Sequence, residues 1–423
     1  MCVKVACVGG GPAGLYLSIL LKRQDPTHDV TVYERDPEGS TYGWGVTYWR
    51  GLLDRLQEHD PDSARAVEEH SVRWRDGVAH VGDLATRHHG DEGFGIGRHR
   101  LLALLAARAR ELGVHLEYEQ PVAAAADPPA ADLVVAADGA GSALRGRHAG
   151  HFGTEITGGR NHYVWLGTPK VFDAFTFAFA ETDHGWIWAY GYGYGPEGST
   201  CVVECAPGTW TGLGLDRADE AEGLVLLEKL FADVLDGHPL TARSSGRAGA
   251  SWPVFRTVTN RTWSRGNLVL LGDAAHTTHY SVGAGTTLAL EDAMALATAL
   301  REPDLPLPDA LAHYERERRT ALLPAQSAAR LSAQWYENLP RYIRLPPEQM
   351  FALLGQRHSP LLPYLPPRLY YRIDRAAGRL ETLRRVKRRL GPVVARTVQA
   401  RRLATGEGRA RSGRPDAMPA RRG

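Results

Sequence analysis

Hydrophobic and polar positions change their spacing three times along the chain. Val3–Val8 is a nearly unbroken apolar run, as in a buried strand, and Ala13–Leu21 carries its apolar residues at helical spacing. A second short apolar run, Val30–Tyr33, completes a strand–helix–strand unit. Between residues 160 and 206 the pattern becomes one of short strands separated by Gly, Pro and Asp: "HYVWLG", "FTFAFAET", "GWIWAYGYGYG" and "TCVVECAP". An earlier stretch, "SVRWRDGVAH" (Ser71–His80), reads as a hairpin of the same mixed or antiparallel sheet. Past residue 300 the spacing turns helical, with a break expected near Pro324 and proline-rich connections at Leu345–Pro347 and Pro360–Pro367. A last helix is expected around Leu380, Leu383, Val386 and Leu390, with arginines on its other faces, and the tail from Gly406 is rich in Gly, Arg, Pro and Ser.

The fold class implied is α/β: a Rossmann-like dinucleotide-binding domain, an inserted mixed β-sheet domain and a helical C-terminal region. The expected segments are 1–72, 97–160 and 250–300 for the first, 73–96 and 161–249 for the second, 301–405 for the third, and a disordered basic tail over 406–423.

Chemistry enters at the glycines. Gly9, Gly11 and Gly14 fit GxGxxG between strand and helix, with Pro12 and Ala13 opening the helix. The first glycine allows the tight turn, the second lets backbone approach a pyrophosphate, and the third lets helix and strand pack closely. Glu34, followed by Arg35, ends the second strand 20 residues beyond Gly14, where an acid meets a ribose hydroxyl. That unit alone leaves NAD(P) and FAD both open. Two later stretches bear on the choice. "DLVVAADGAGSALR" is a strand ending in Asp138-Gly139. "NLVLLGDAAHTTHYSVGAGTTLALEDA" is a strand ending in Gly272-Asp273, then a loop with Gly283 and Gly285 and a helix from about Thr286. A carboxylate at the Asp273 position can accept hydrogen bonds from ribityl hydroxyls, which NAD lacks, and the helix N-terminus favours negative charge on a flavin.

Composition narrows the classes. The 423 residues carry a formal charge of +2, too little for a nucleic-acid-binding surface, and no uninterrupted apolar stretch approaches a membrane span. The N-terminal apolar run is broken by glycine too soon for a signal peptide, so a cytoplasmic protein is expected. Cys2, Cys7, Cys201 and Cys205 form no CxxC pair and read as thiols in a reducing compartment; no metal site is expected.

With "GWGVTYW", "VWLGTPKVFDAFTF" and the Asp138 and Asp273 motifs in hand, the chain resembles the single-component flavin aromatic hydroxylases, the family of 4-hydroxybenzoate 3-hydroxylase. Within it the likeness is to the subgroup of salicylyl-CoA 5-hydroxylase and 2-aminobenzoyl-CoA monooxygenase. The resemblance implies FAD as cofactor, NAD(P)H as co-substrate and an aromatic small molecule as substrate, either free or tethered to coenzyme A or a carrier protein. It implies that Arg98 contacts the FAD pyrophosphate and that the Gly43–Trp49 loop, with Gly45 and Val46, lies along the isoalloxazine. His279 stands where the family usually has proline. It either acts on a ring hydroxyl or amine of the substrate or is a structural neighbour of the flavin. Trp186, Trp188, Tyr190, Tyr192 and Tyr194 share one strand face, and this face is either a wall over the substrate or a surface packed under helices. Trp188, Tyr190 and Tyr280 are the candidate substrate contacts. Trp188 is followed by no Ile-Pro pair, which argues against flavin halogenation. The basic C-terminal helix is either a solvated surface or a dock for phosphates or an acidic carrier. Three other functions stay open: hydroxylation of a free phenol, aniline or indole, a flavin dehydrogenase or oxidase, and a non-catalytic flavoprotein. The oligomeric state is not legible.

Overall fold

The computed structural model describes residues 3–41, 43–122, 129–242, 252–302 and 305–379. The N-terminal apolar runs become β1 (Lys4–Val8), α1 (Pro12–Gln24) and β2 (Asp29–Tyr33). Pro12 opens α1, where a missing N–H costs nothing. Next come β3 (Gly45–Trp49), α2 (Arg50–His59), α3 (Pro61–Glu69), the hairpin β4 (Val72–Val81) and β5 (Leu84–Gly97), α4 (Arg98–Glu111), β6 (His115–Glu117) and β7 (Leu133–Ala136). Short helices α5 (Ala143–Arg147) and α6 (Ala149–Phe152) lead to β8 (Glu155–Thr168), β9 (Phe175–Thr182), β10 (Gly185–Gly195) and β11 (Gly198–Cys205). Three helices follow, α7 (Pro207–Gly212), α8 (Glu220–Leu230) and α9 (Ala232–Leu235), then β12 (Val254–Thr259), β13 (Ser264–Arg265) and β14 (Leu268–Leu270). The C-terminal part holds α10 (Gly285–Ala299), α11 (Leu307–Glu337), α12 (Pro347–Gly355) and α13 (Pro367–Arg379).

Two sheets result. The first has the order β13-β14-β7-β1-β2-β6 and is parallel except for β13. It is the expected Rossmann-like layer, with α1, α4 and α10 in its apolar core. The second runs β12-β8-β11-β10-β9-β4-β5-β3 and is antiparallel except where β4 meets β9. Alternation along β10 feeds two separate cores. Trp188, Tyr190 and Tyr192 share a core with Trp335, Tyr336 and Tyr342 from the C-terminal region, while Ile187 and Ala189 share one with Leu227 of α8, Leu235 of α9 and Phe231 between them.

The structure departs from the expected segments at three places. The Gly43–Trp49 stretch is no loop from Gly45 onward: it is β3, an edge strand of the second sheet paired with β5. The boundary at 160 falls inside β8, and β12 joins the second sheet beside it. These strands were misplaced because pairing partners lie far away in sequence. Pro324 also fails to break its helix, since α11 runs through it for 31 residues. The carbonyl deprived of its donor belongs to Thr320, which is exposed, so water can take that lone pair. The expected basic helix around Leu380–Leu390 and the tail from Gly406 lie outside the described residues. Cys7, Cys201 and Cys205 are buried and free, and no described helix is long and apolar enough to cross a membrane.

The halves are tied together by charge in the interior. Asp292 of α10 is fully buried and accepts from His276 Nε2 at 2.8 Å and from Arg318 Nε of α11 at 2.7 Å. These partners hold its pKa below the usual carboxylate value against the upward push of burial. Replacing Asp292 by Ala would leave a buried guanidinium short of its partner. The cost expected in a urea or thermal unfolding series is about 3 kcal/mol or more, and a loss below 1 kcal/mol would show the trio to be incidental.

Candidate active site

The carboxyl ends of β1, β2 and β7 open onto a cavity of about 450 Å³. Gly9 follows β1 with φ +115°, and a Cβ there would lie 2.3 Å from the Ala137 carbonyl oxygen, so the turn demands glycine. Gly14 is needed for contact, since its Cβ would lie 2.1 Å from the Gly9 oxygen. On the side of Gly11 nothing lies within 4 Å, leaving open space for a ligand beside the first turn of α1, which carries no acidic residue. Glu34 is oriented by the turn: its oxygens accept from the Gly10 N–H at 2.7 Å and the Asp36 N–H at 3.0 Å. Asp138 accepts from the Ala143 N–H at 2.7 Å with one oxygen, while its other oxygen is buried with no protein partner. Arg35 and Arg98 complete the walls.

Arg98 also lines a second cavity, a chamber of about 470 Å³ between the two sheets. One wall is aromatic: Tyr163 and Trp165 from β8, Phe175 and Phe177 from β9, Tyr190 and Tyr192 from β10. The opposite side brings Gly45 and Val46 of β3, the loop through Thr277, Tyr280 and Gly283, and Gly285 and Thr286 at the start of α10. Gly45 is clamped across the sheet, its N–H donating to Thr200 Oγ1 at 2.8 Å and its carbonyl accepting from the Tyr192 hydroxyl at 2.9 Å. Gly283 has φ +62°, and a Cβ there would come within 2.6 Å of Thr47 Oγ1, so the loop and β3 touch only because the residue is glycine.

Charge is unevenly spread. At the end near the first cavity stand Arg98, whose Nε is buried with no protein partner, and Asp273. Asp273 is accessible from the chamber but otherwise enclosed by protein. Burial raises its pKa, offset in part by His276, Arg98 and Arg145. At the aromatic end Arg357 is tethered through three of its five N–H donors: Nε to Ser332 Oγ at 3.0 Å, and one from each terminal nitrogen to the carbonyls of Leu354 and Ser281, each at 2.9 Å. Arg256 is the remaining cation of the lining, and it is exposed.

The structure therefore gathers Gly9, Gly11, Glu34, Arg35, Arg98 and Asp138 around one cavity, with Pro12, Ala13 and Gly14 in the helix start beside it. It gathers Gly45, Val46, Arg98, Asp273, Gly283, Gly285, Thr286, Tyr190 and Tyr280 around the other. Gly272, with φ +61°, lies beneath, letting the strand end approach Ala13. Two expected residues are not in the chamber wall. Trp188 stacks on Tyr336 with ring centroids 5.6 Å apart, in the packed part of the strand face. His279 lines a separate cavity of about 650 Å³ on the far side of its loop. Its Nδ1 is hydrogen-bonded to Ser281 Oγ at 2.9 Å, and burial lowers its pKa to about 4. Sequence reasoning missed Glu204, a fully buried carboxylate that accepts from Tyr280 Oη and Asn161 Nδ2, each at 2.7 Å. The signal was present in "TCVVECAP", where Val202 and Glu204 alternate onto one face. No group of three His, Cys, Asp or Glu placed to hold a metal occurs among the described residues.

Comparison with known proteins agrees with this geometry. The profile of a family described as FAD binding domain matches residues 104–325. A salicyloyl-CoA 5-hydroxylase from Streptomyces sp is 39% identical over 357 residues, covering 81% of this chain and 67% of that protein. A 3-hydroxy-4-methyl-anthranilyl-[aryl-carrier protein] 5-monooxygenase from Streptosporangium sibiricum is 38% identical over 342 residues, covering 80% and 90%. Among solved structures, a mutant of 2-methyl-3-hydroxypyridine-5-carboxylic acid oxygenase superposes with TM-score 0.66 at 21% identity, over 80% of this chain and 92% of that one, a likeness of fold.

FAD fits the two cavities. The unpartnered atoms of Asp138 and Arg98, the open side of Gly11 and the accessible carboxylate of Asp273 are the polar groups that a dinucleotide ending in a ribityl-linked flavin needs. Asp273→Ala should raise the dissociation constant for FAD roughly fivefold to 150-fold, matching about 1–3 kcal/mol for a lost charged acceptor. Equilibrium dialysis read by flavin fluorescence measures it, and an unchanged constant would remove Asp273 from the site.

Proposed function

The chain belongs to the FAD-dependent aromatic monooxygenases, and from that premise we propose that it hydroxylates an electron-rich aromatic ring presented as a thioester of coenzyme A or a carrier protein. NAD(P)H is the reductant in this reading. Bound FAD would carry the reducing equivalents from NAD(P)H and activate O₂. The residues of the chain do the rest.

Tyr163, Trp165, Phe175 and Tyr190 give a ring flat apolar surfaces and keep water away from the reacting carbon. The opening turn of α10, at Gly285 and Thr286, turns its N–H groups and positive dipole end towards the place where a flavin carries negative charge. Arg98 and Asp273 face each other across that end and fix its polarity.

What carries the thioester reading is the likeness to two relatives named for thioester substrates, the salicyloyl-CoA 5-hydroxylase and the aryl-carrier-protein 5-monooxygenase. A free aromatic acid entering the aromatic end of the chamber would have to desolvate its carboxylate, and the guanidinium there, Arg357, already gives three of its donors to Ser332, Leu354 and Ser281. A thioester carbonyl is neutral and meets no such cost. Arg256, exposed at the rim, suits the phosphate of a carrier arm that stays outside. Remote contacts of that arm hold the ring in place for reaction.

The test compares salicyloyl-CoA, the same acyl group on a carrier protein, and free salicylate, reading NAD(P)H consumption and ¹⁸O incorporation from ¹⁸O₂. At least one thioester should exceed the free acid in kcat/KM by roughly tenfold or more. Equal turnover of the free acid would favour a free phenol, aniline or indole as substrate, and consumption with hydrogen peroxide but no labelled product would favour an oxidase. Arg256→Ala should raise KM for the thioester by up to about fivefold with kcat unchanged, the size of an exposed ion pair. That increase should shrink at high salt.

A further inference from the structure

Glu204 sits near the C-terminal end of β11, opposite Trp188 of β10 and Tyr163 of β8, and is 1% exposed. A carboxylate enclosed by aromatic rings is costly unless its lone pairs are used. Here both oxygens are used by precise partners. Asn161 Nδ2 donates to one at 2.7 Å, and the Tyr280 hydroxyl donates to the other at 2.7 Å. Tyr280 is itself held by its neighbours, with ring centroids 4.3 Å from His279 and 4.5 Å from Tyr163, and it lines the chamber. Its hydroxyl hydrogen is given to Glu204, so its oxygen keeps a lone pair that can accept from a donor.

We propose that Tyr280 and Glu204 are the proton-accepting pair of the chamber, Tyr280 meeting the ring hydroxyl of the substrate and Glu204 acting behind it as a positioning residue and proton store. This rests on the reading of the chamber given above. One proton passes from the substrate oxygen to Tyr280 as the proton of Tyr280 passes to Glu204. The substrate O–H bond breaks, a carboxyl O–H bond forms, and no electrons are exchanged. The ring becomes a phenolate, more electron-rich at the carbon to be hydroxylated, and the proton returns by the same route when the product hydroxyl reforms.

The surroundings leave Glu204 as the proton acceptor. Burial raises the phenol pKa values of Tyr163, Tyr190, Tyr280 and Tyr336, so none of them stands ionised on its own. His279, at about 4, is too weak a base to hold the proton. Glu337 is the other carboxylate that acts on Glu204, pushing its pKa up, and Arg357 acts on the neighbouring Tyr336. Burial is the main cause that brings Glu204 to about 7. Above that pH it is charged and can take a proton; below it the store is full.

The probe is 4-nitrophenol, whose phenolate absorbs visible light, titrated into the FAD-loaded protein across pH, with bound probe quantified by ultrafiltration. Bound to the wild-type protein, the phenol should ionise at a pH about one unit lower than when bound to Glu204→Gln or Tyr280→Phe, a tenfold difference in acidity. The glutamine keeps the shape and, with the Asn161 amide flipped, both hydrogen bonds, but it cannot take a proton. With salicyloyl-CoA, the rise of hydroxylation rate through about pH 7 should likewise vanish in Glu204→Gln. Equal ionisation of bound probe in all three proteins overturns the pair and leaves the chamber standing. Failure of the wild-type protein to bind the probe overturns the chamber reading, and the pair with it.

Discussion

The buried carboxylate of Asp292 is the constraint on which the site depends. It has two partners because a desolvated charge must have them, and they belong to different parts of the chain: His276 to the loop after β14, Arg318 to the long helix α11. Trp263 stacks on His276 at 5.2 Å and closes the network from the side of β13. The position of the loop therefore follows from electrostatics in the interior. Everything between His276 and α10 then inherits a fixed place, including Tyr280, the left-handed Gly283 and the N-terminus facing the chamber.

The second sheet answers a different demand. A flat, dry surface for a ring needs many aromatic side chains on one face, and a face so apolar must itself be covered where no ligand lies. Strand β10 meets both needs along its length. Tyr190 and Tyr192 stand at the chamber, while Trp188 lies under Tyr336 of α11. The same helix thus supplies Arg318 to the interior network and Tyr336 to the wall. The C-terminal region completes the chamber as well as covering the sheet.

What was legible in the sequence was local. The glycines of the first turn, Glu34, Asp138 and Asp273 depend on a few consecutive residues and on strand ends, and spacing is enough to recognise them. The rest depends on pairing between distant segments. No local pattern shows that Gly45–Trp49 pairs with β5, and none shows that Glu204 lies opposite Trp188 and Tyr163. His279 and Tyr280, both expected near the substrate, are separated by one local turn. A short 3₁₀ turn over Tyr280–Val282 sends Tyr280 to the chamber and leaves His279 on the other side, and adjacent residues in such a turn cannot be told apart by composition. Pro324 leaves α11 unbroken for a complementary reason: the carbonyl it deprives of a donor belongs to Thr320, which faces water.

The strand β3 belongs by chain connection to the dinucleotide-binding half and by hydrogen bonding to the far edge of the other sheet. Its Thr47 meets Gly283 across the gap between them. The cavity is thus a joint between two bodies, and a molecule seated in it works as a bolt. Occupancy and stability are therefore linked, because a ligand that binds only the assembled joint adds its binding free energy to the stability of the whole.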